Sequence, residues 1–380
     1  MPSDKQMSRD GCMLGIKTDN SRNLGLDALR VLAIFCVLHG HARGYLNNTI
    51  LDFATLLPLP RGVDIFFVLS GFLIGKSFIG YAEKNNGIVG FRKPVIFYLR
   101  TALRILPDYI FMLIVNYLLV YLEVINGDTH EFPIWRFATF TQNIFTPFWN
   151  FFWESWSLSV QWWFYILFPL LLAILCRHIT PQKAVPIISA FFIIGSVVYR
   201  AIVSDMVCDN FSWDIWLRKT VASRCDNIYF GVMAAYVYHY YHDFWERYAV
   251  KCFVTGIIMF LCLRLIPKQL GSCYYNVVYL SLPPVYIALC LPLICKMRSY
   301  NKAVTGIISH ISVLSYAMFL TNVLVGQVIN LHFAYSGRID GCVLYLIFWT
   351  LTILASYCLY IIVEKPFTML RDNLFGGNSK

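Results

Sequence analysis

Apolar runs long enough to cross a lipid hydrocarbon core recur along the whole chain, and no other feature limits its fold so strongly. A core of about 30 Å takes roughly 17 to 25 residues of helix. Such runs fall near 27–46, 61–80, 105–125, 156–176, 184–204, 222–242, 249–266, 276–295, 305–330 and 342–363. Ten runs predict ten membrane-spanning helices in an all-α polytopic protein, because a helix satisfies its own backbone hydrogen bonds in lipid. Hydrophobic residues make up 58% of the chain and charged ones 14%, against about a quarter charged in a soluble domain. A soluble enzyme is thereby excluded. Residues 1–25 lack a basic start, a short apolar stretch and a small-residue cleavage site, so the first run is expected to stay in the mature protein. The expected organisation is a cytoplasmic segment 1–23, one transmembrane domain 24–367 and a cytoplasmic tail 368–380.

The net charge of +10 does not point to nucleic acid here. In a membrane protein, basic residues first report orientation, through their excess in cytoplasmic loops. With the N-terminus inside, 21 of the 31 Lys and Arg fall on the cytoplasmic side and 10 on the other. Both termini are therefore expected in the cytoplasm, with the lipid bilayer as the main partner. The 12 cysteines are scattered without a C-x-x-C pair, which indicates neither a metal site nor a disulfide framework; they read as small core residues.

Ionisable residues inside a membrane are costly and commonly functional, which singles out "LRVLAIFCVLHGHARG", Leu29 to Gly44. At about 100° per residue, His41, eleven residues after Arg30, returns to within about 20° of it, whereas His39 points to the opposite side. His41 would sit about 16 Å deeper than Arg30, near mid-membrane if Arg30 marks the inner interface. Arg30 then reads as a contact for an anionic ligand and His41 as a proton acceptor. The plainer readings are an orientation anchor for Arg30 and hydrogen-bonded packing for the histidines.

Further polar positions interrupt the other runs. "RGVDIFFVLSGFLIG" places Arg61 and Asp64 at a mouth, then Phe66, Phe67, Ser70 and Gly71, where Ser-Gly suits either close helix packing or a ligand. In "FYLRTALRILP", Arg100 and Arg104 share a helix face and could clamp a phosphate or meet lipid headgroups. "FWESWSLSVQWWFYILFP" offers aromatic side chains that suit an interfacial belt or a sugar-stacking wall. "SRCDNIYFGVMAA", "SYAMFLTN" and "VEKPF" add Arg224, Asp226, Tyr316, Asn322 and Glu364, of which Arg224 and Glu364 read as structural ion pairs.

Taken together, these segments resemble the acyltransferase-3 family of integral membrane acyltransferases. "GLDALRVLAIFCVLHGH" is similar to its arginine, ten residues, histidine signature, landing on Arg30 and His41. "GVDIFFVLSGFLIG", "LRILP", "WSLSVQWWFYILFPLL", "SRCDNIYFG", "SYAMFL" and "EKPF" follow in the family's order, from about residue 24 to 367. The resemblance implies transfer of an acyl group, often acetyl from acetyl-CoA, to a hydroxyl of a cell-surface or exported glycan, in a standalone transferase of a bacterial inner membrane. It implies His41 as catalytic base with Arg30 beside the donor. Arg100, Arg104, Ser70, Gly71 and Phe67 would hold or line the path of acyl-CoA. Asp64, Trp156, Ser157, Gln161, Arg224 and Tyr316 would face a glycan or lipid-linked saccharide acceptor. Many members space the arginine pair three apart, and Thr101 stands there in this chain.

Two departures stand out. Gln161 occupies the place where the family usually has glutamate after "SLSV", and a glutamine can neither carry charge nor return a proton. Asn322 stands where members often place a histidine. A glycan or anion transporter, with His41 as proton relay, is the competing class; an acyl-CoA-binding relative without turnover is a third.

Overall fold

The computed structural model describes residues 12–13, 16–17, 23–128, 133–298, 301–333 and 339–375. All ten apolar runs are helical. We number them α1 (Leu24–Ala42), α2 (Gly62–Lys84), α3 (Arg92–Tyr121), α4 (Ser155–Leu175), α5 (Pro181–Val203), α6 (Val221–Tyr240), α7 (Ala249–Leu265), α8 (Tyr274–Ile294), α9 (Lys302–His332) and α10 (Gly341–Leu359). A π-helical turn, Tyr360–Glu364, leads from α10 into α11 (Lys365–Phe375). Strand pairing among the described residues is confined to Cys12–Met13 against Ile16–Lys17. Most of the expected segment 1–23 and residues 376–380 of the expected tail lie outside the described residues; 368–375 belong to α11.

Among the described residues, eight helices are long and apolar enough by length and composition to cross a membrane, against an expectation of ten. The two that fall short do so for different reasons. α7 has only 17 residues. α6 carries Arg224 and Asp226 in its first two turns, and it is the central post of the bundle, packed against α2, α4, α5 and α8. Its polar residues are buried in protein, which is where a membrane bundle tolerates them.

Lipid supplies no hydrophobic drive between helices, so close backbone approach and polar contacts hold them together. α2 and α6 cross through small residues: a Cβ on Gly71 would overlap the Ile228 carbonyl oxygen, and one on Gly231 would overlap that of Val68. Gly71 is thus a packing residue, not part of a ligand path as the resemblance implied. α1 and α9 run parallel and are stitched by side chains: Ser312 donates to Asp27 at 2.8 Å, His41 meets Asn322 at 2.5 Å, and Tyr45 donates to Asn330 at 2.8 Å. Arg200 of α5, fully buried, donates to the Val277 carbonyl at 2.7 Å, the Ser223 carbonyl at 2.5 Å, Asp226 at 2.9 Å and Ser281 at 2.5 Å. It fastens α5, α6 and α8 together. The cysteines are less uniformly internal than expected: of the eleven whose burial is described, all free, only Cys36, Cys225 and Cys290 are buried.

Candidate active site

Two cavities open within the bundle and abut at Val63, which lines both. The proximal one, about 430 Å³, lies at the end where α1 begins and α11 terminates. It gathers Arg30, Arg100, Arg104 and Arg371 with Ser70, Ser157, Gln161 and Tyr316. Arg30 is braced by buried Asp27, one turn earlier, at 2.9 Å. Arg100 donates to the Phe375 carbonyl at 3.4 Å, tying α11 to α3. Arg104 forms no ion pair among the described residues and faces the cavity. The four-residue spacing of Arg100 and Arg104 does put both on one cavity wall.

On the opposite wall, the Tyr165 hydroxyl lies 3.2 Å from Gln161 Oε1 and 3.4 Å from Ser70 Oγ. Gln161 thus accepts from tyrosine through Oε1 while lining the cavity. Tyr316 donates to the Ile105 carbonyl at 3.0 Å, so its ring forms a fixed wall. Ser157, Gln161 and Tyr316, which the resemblance set toward an acceptor, thus share a cavity with the arginine pair. Glu364 makes no ion pair among the described residues, contrary to expectation; it faces the buried carboxyl of Asp108.

The distal cavity, about 500 Å³, contains His41, Asp64, Trp156 and Arg224. His41 lies in the last turn of α1, not halfway along it. Its partner fixes its chemistry. The Asn322 amide donates to the carbonyls of Met318 at 3.1 Å and Phe319 at 2.7 Å, which turns its oxygen toward His41 Nδ1. Nδ1 must then carry the proton, leaving Nε2 as the free base. His39 is used differently: Nε2 donates to the Ala54 carbonyl at 3.2 Å, Nδ1 accepts from Tyr345 at 3.0 Å, and the buried ring stacks on Phe35. It is the packing histidine of the pair.

Arg224, 0% exposed, is ion-paired with Asp64, which also accepts from Asn227 at 3.1 Å. Phe67 lines neither cavity; it is buried edge-on against Trp156, with Arg224 over its face. Sequence reasoning missed Asp27, Arg371 and the orienting role of Asn322. Asp27 carried a signal, since it stands three residues before Arg30 within the quoted motif.

Glu154, immediately before α4, is buried with both carboxyl oxygens lacking partners, and burial pushes it from 4.5 up to about 8. A carboxyl raised on folding stabilises the fold fully below its unfolded value, and that contribution is lost as pH rises through the folded value. Stability is expected to fall between about pH 4.5 and 8, by up to roughly 1.4 kcal/mol per unit. Thermal unfolding of the detergent-solubilised protein should show this slope and Glu154→Gln should flatten it; an unchanged slope would assign it to another group.

Compared with known proteins, residues 23–364 match the family model described as an acyltransferase domain, the acyltransferase-3 model. No curated protein and no solved structure matches the chain.

Proposed function

The chain belongs to the acyltransferase-3 family and is a membrane acyltransferase, and from this premise we propose that it moves an acetyl group from acetyl-CoA to a hydroxyl of an exported or cell-surface glycan. The proximal cavity is the donor site and faces the cytoplasm; the distal cavity receives the acceptor. The observation that carries this reading is the meeting of the two cavities at one residue, Val63, with Arg100 and Arg104, which form no ion pair among the described residues, on one side and an oriented histidine on the other.

Arg100 and Arg104 would hold the CoA phosphates as planar, permanently charged donors. Arg30, fixed by Asp27 and lining the same cavity, would steady the pantetheine arm. His41 Nε2 takes the proton of the acceptor hydroxyl as its oxygen attacks the thioester carbonyl. The C–O bond forms, the C–S bond breaks, and His41 returns the proton to the departing thiolate. Trp156, buried with Arg218 over its ring, would form part of the wall against which the sugar lies.

Val63→Trp tests the passage between the cavities. The bulky ring is expected to lower labelled-acetyl transfer by about a hundredfold through misplacement of the thioester, while binding of acetyl-CoA in membranes is retained. Loss of both would show that Val63 belongs to the donor site, and loss of neither that the passage lies elsewhere. Gln161 supports a second reading, an acyl-CoA-binding relative without turnover, because its amide cannot shuttle a proton. Gln161→Glu would then create activity that the native chain lacks.

A further inference from the structure

Resting on that reading, we propose that the distal cavity is built for an acceptor that carries an oxyanion: a saccharide whose reacting hydroxyl lies close to a carboxylate or a phosphate.

The distribution of charge is the first reason. Orientation by positive charge depletes the non-cytoplasmic side of basic residues, and the sequence assigns only 10 of 31 to it. Six of those ten, Arg43, Arg61, Arg218, Arg224, Arg264 and Lys268, line this one cavity. Asp64 is its single carboxylate, and it is already engaged by Arg224. Arg218 is neutralised by Asp214, which also binds Lys219 at 2.6 Å. The other four, Arg43, Arg61, Arg264 and Lys268, form no ion pair among the described residues. Arg43, Arg264 and Lys268 are exposed and Arg61 is half-buried, and the excess of like charge around one cavity raises a positive potential that favours an anion placed among them.

The unused donors are the second reason, independent of the count. Arg224 keeps Nε and Nη1 without partners, and Arg61 keeps Nη1, all three buried. Buried N–H groups without acceptors are costly and uncommon. Arg61 is also held rigid, with its guanidinium 5.5 Å from the Trp213 ring centre and 5.1 Å from that of Tyr279. Lys268 lies 5.4 Å from the same Tyr279 ring. A planar guanidinium in a fixed pose suits bidentate capture of a carboxylate or phosphate. The anion would dock on Arg61, Arg264 and Lys268, and the neighbouring hydroxyl would reach His41 Nε2, which lines the same cavity.

The test uses the full chain in phosphatidylcholine nanodiscs, with CoA present to fill the proximal arginines. Calorimetry measures binding of a glucuronate-containing disaccharide, its carboxyl-reduced neutral form, and inorganic pyrophosphate as the stand-in for a lipid diphosphate. An anionic probe is expected to bind at least about tenfold more tightly than the neutral one, a ratio that Arg264→Gln with Lys268→Gln reduces to about twofold or less. CoA affinity, unchanged in that double variant, shows that it is folded. Preference for the uronate places the anion on the sugar, and preference for pyrophosphate places it on a lipid carrier; either outcome supports the proposal. Equal binding of charged and neutral probes, a preference that survives loss of both cations, or displacement of the probe by phosphatidylglycerol nanodiscs would overturn it. Release of CoA thiol, followed separately, keeps the two readings apart. Anion binding without thiol release contradicts the acyltransferase reading alone, and thiol release with neutral acceptors only contradicts this proposal alone.

Discussion

His41→Ala is expected to lower acetyl transfer by about 10²- to 10⁴-fold, the usual contribution of a positioned general base, with acetyl-CoA binding unchanged. The separation of effects follows from the geometry: His41 lines the distal cavity and the arginines that would bind CoA line the proximal one. Asn322 provides a finer test. It acts through His41 by accepting the Nδ1 proton, so Asn322→Leu should cost much of the rate, whereas Asn322→Asp, which still offers an oxygen, should retain transfer. A residue that merely filled space would not separate the two replacements in that order. Equal loss in both, with intact CoA binding, would remove Asn322 from the account. Retained transfer in His41→Ala would remove the base.

Asp64→Ala is expected to cause the largest loss of stability, about 3–5 kcal/mol, because it strands a buried guanidinium. That is a large share of the 5–15 kcal/mol typical of a folded domain. Arg224 has no route to relief: it is 0% exposed and stays protonated. The reverse replacement is milder. In Arg224→Met, the Asp64 carboxyl keeps the hydrogen bond it accepts from Asn227. Thermal unfolding in detergent should therefore rank Asp64→Ala well below Arg224→Met, with the double variant Asp64→Leu/Arg224→Met recovering most of the fold. If the two single variants unfold alike, the asymmetry between a carboxyl and a guanidinium does not govern this site.

Helical periodicity made part of this site legible in the sequence. Eleven residues on one helix placed Arg30 and His41 on the face that meets α9, and a spacing of four set Arg100 and Arg104 on one wall. Periodicity tells which side chains share a face but not which helix stands opposite. The Asn322 partner of His41 lies 281 residues away, and Ser157, Gln161 and Tyr316 joined the cavity of Arg100 and Arg104 once α4 and α9 were in place. Gly71 shows the same limit from another direction. A Ser-Gly step reads equally as a ligand path or a helix crossing until the facing carbonyl, that of Ile228, is known. By length and composition eight of the ten runs qualify as spans among the described residues, and α6 does not because Arg224 and Asp226 lower the hydropathy of its first two turns. The basic residues of the distal cavity, counted one loop at a time, gave no sign of converging.

The most direct test of the account is a sided assay in sealed membrane vesicles of both orientations, supplied with labelled acetyl-CoA and the cell's own glycans. Native chain and Gln161→Glu are compared, and CoA thiol is followed together with glycan acetylation. The account predicts that the native chain releases CoA thiol in step with acetylation, and only when acetyl-CoA reaches the face that carries Arg100 and Arg104. Glycan movement without thiol release would contradict it in favour of transport. Activity restricted to Gln161→Glu would show that the native chain holds the donor without turning it over.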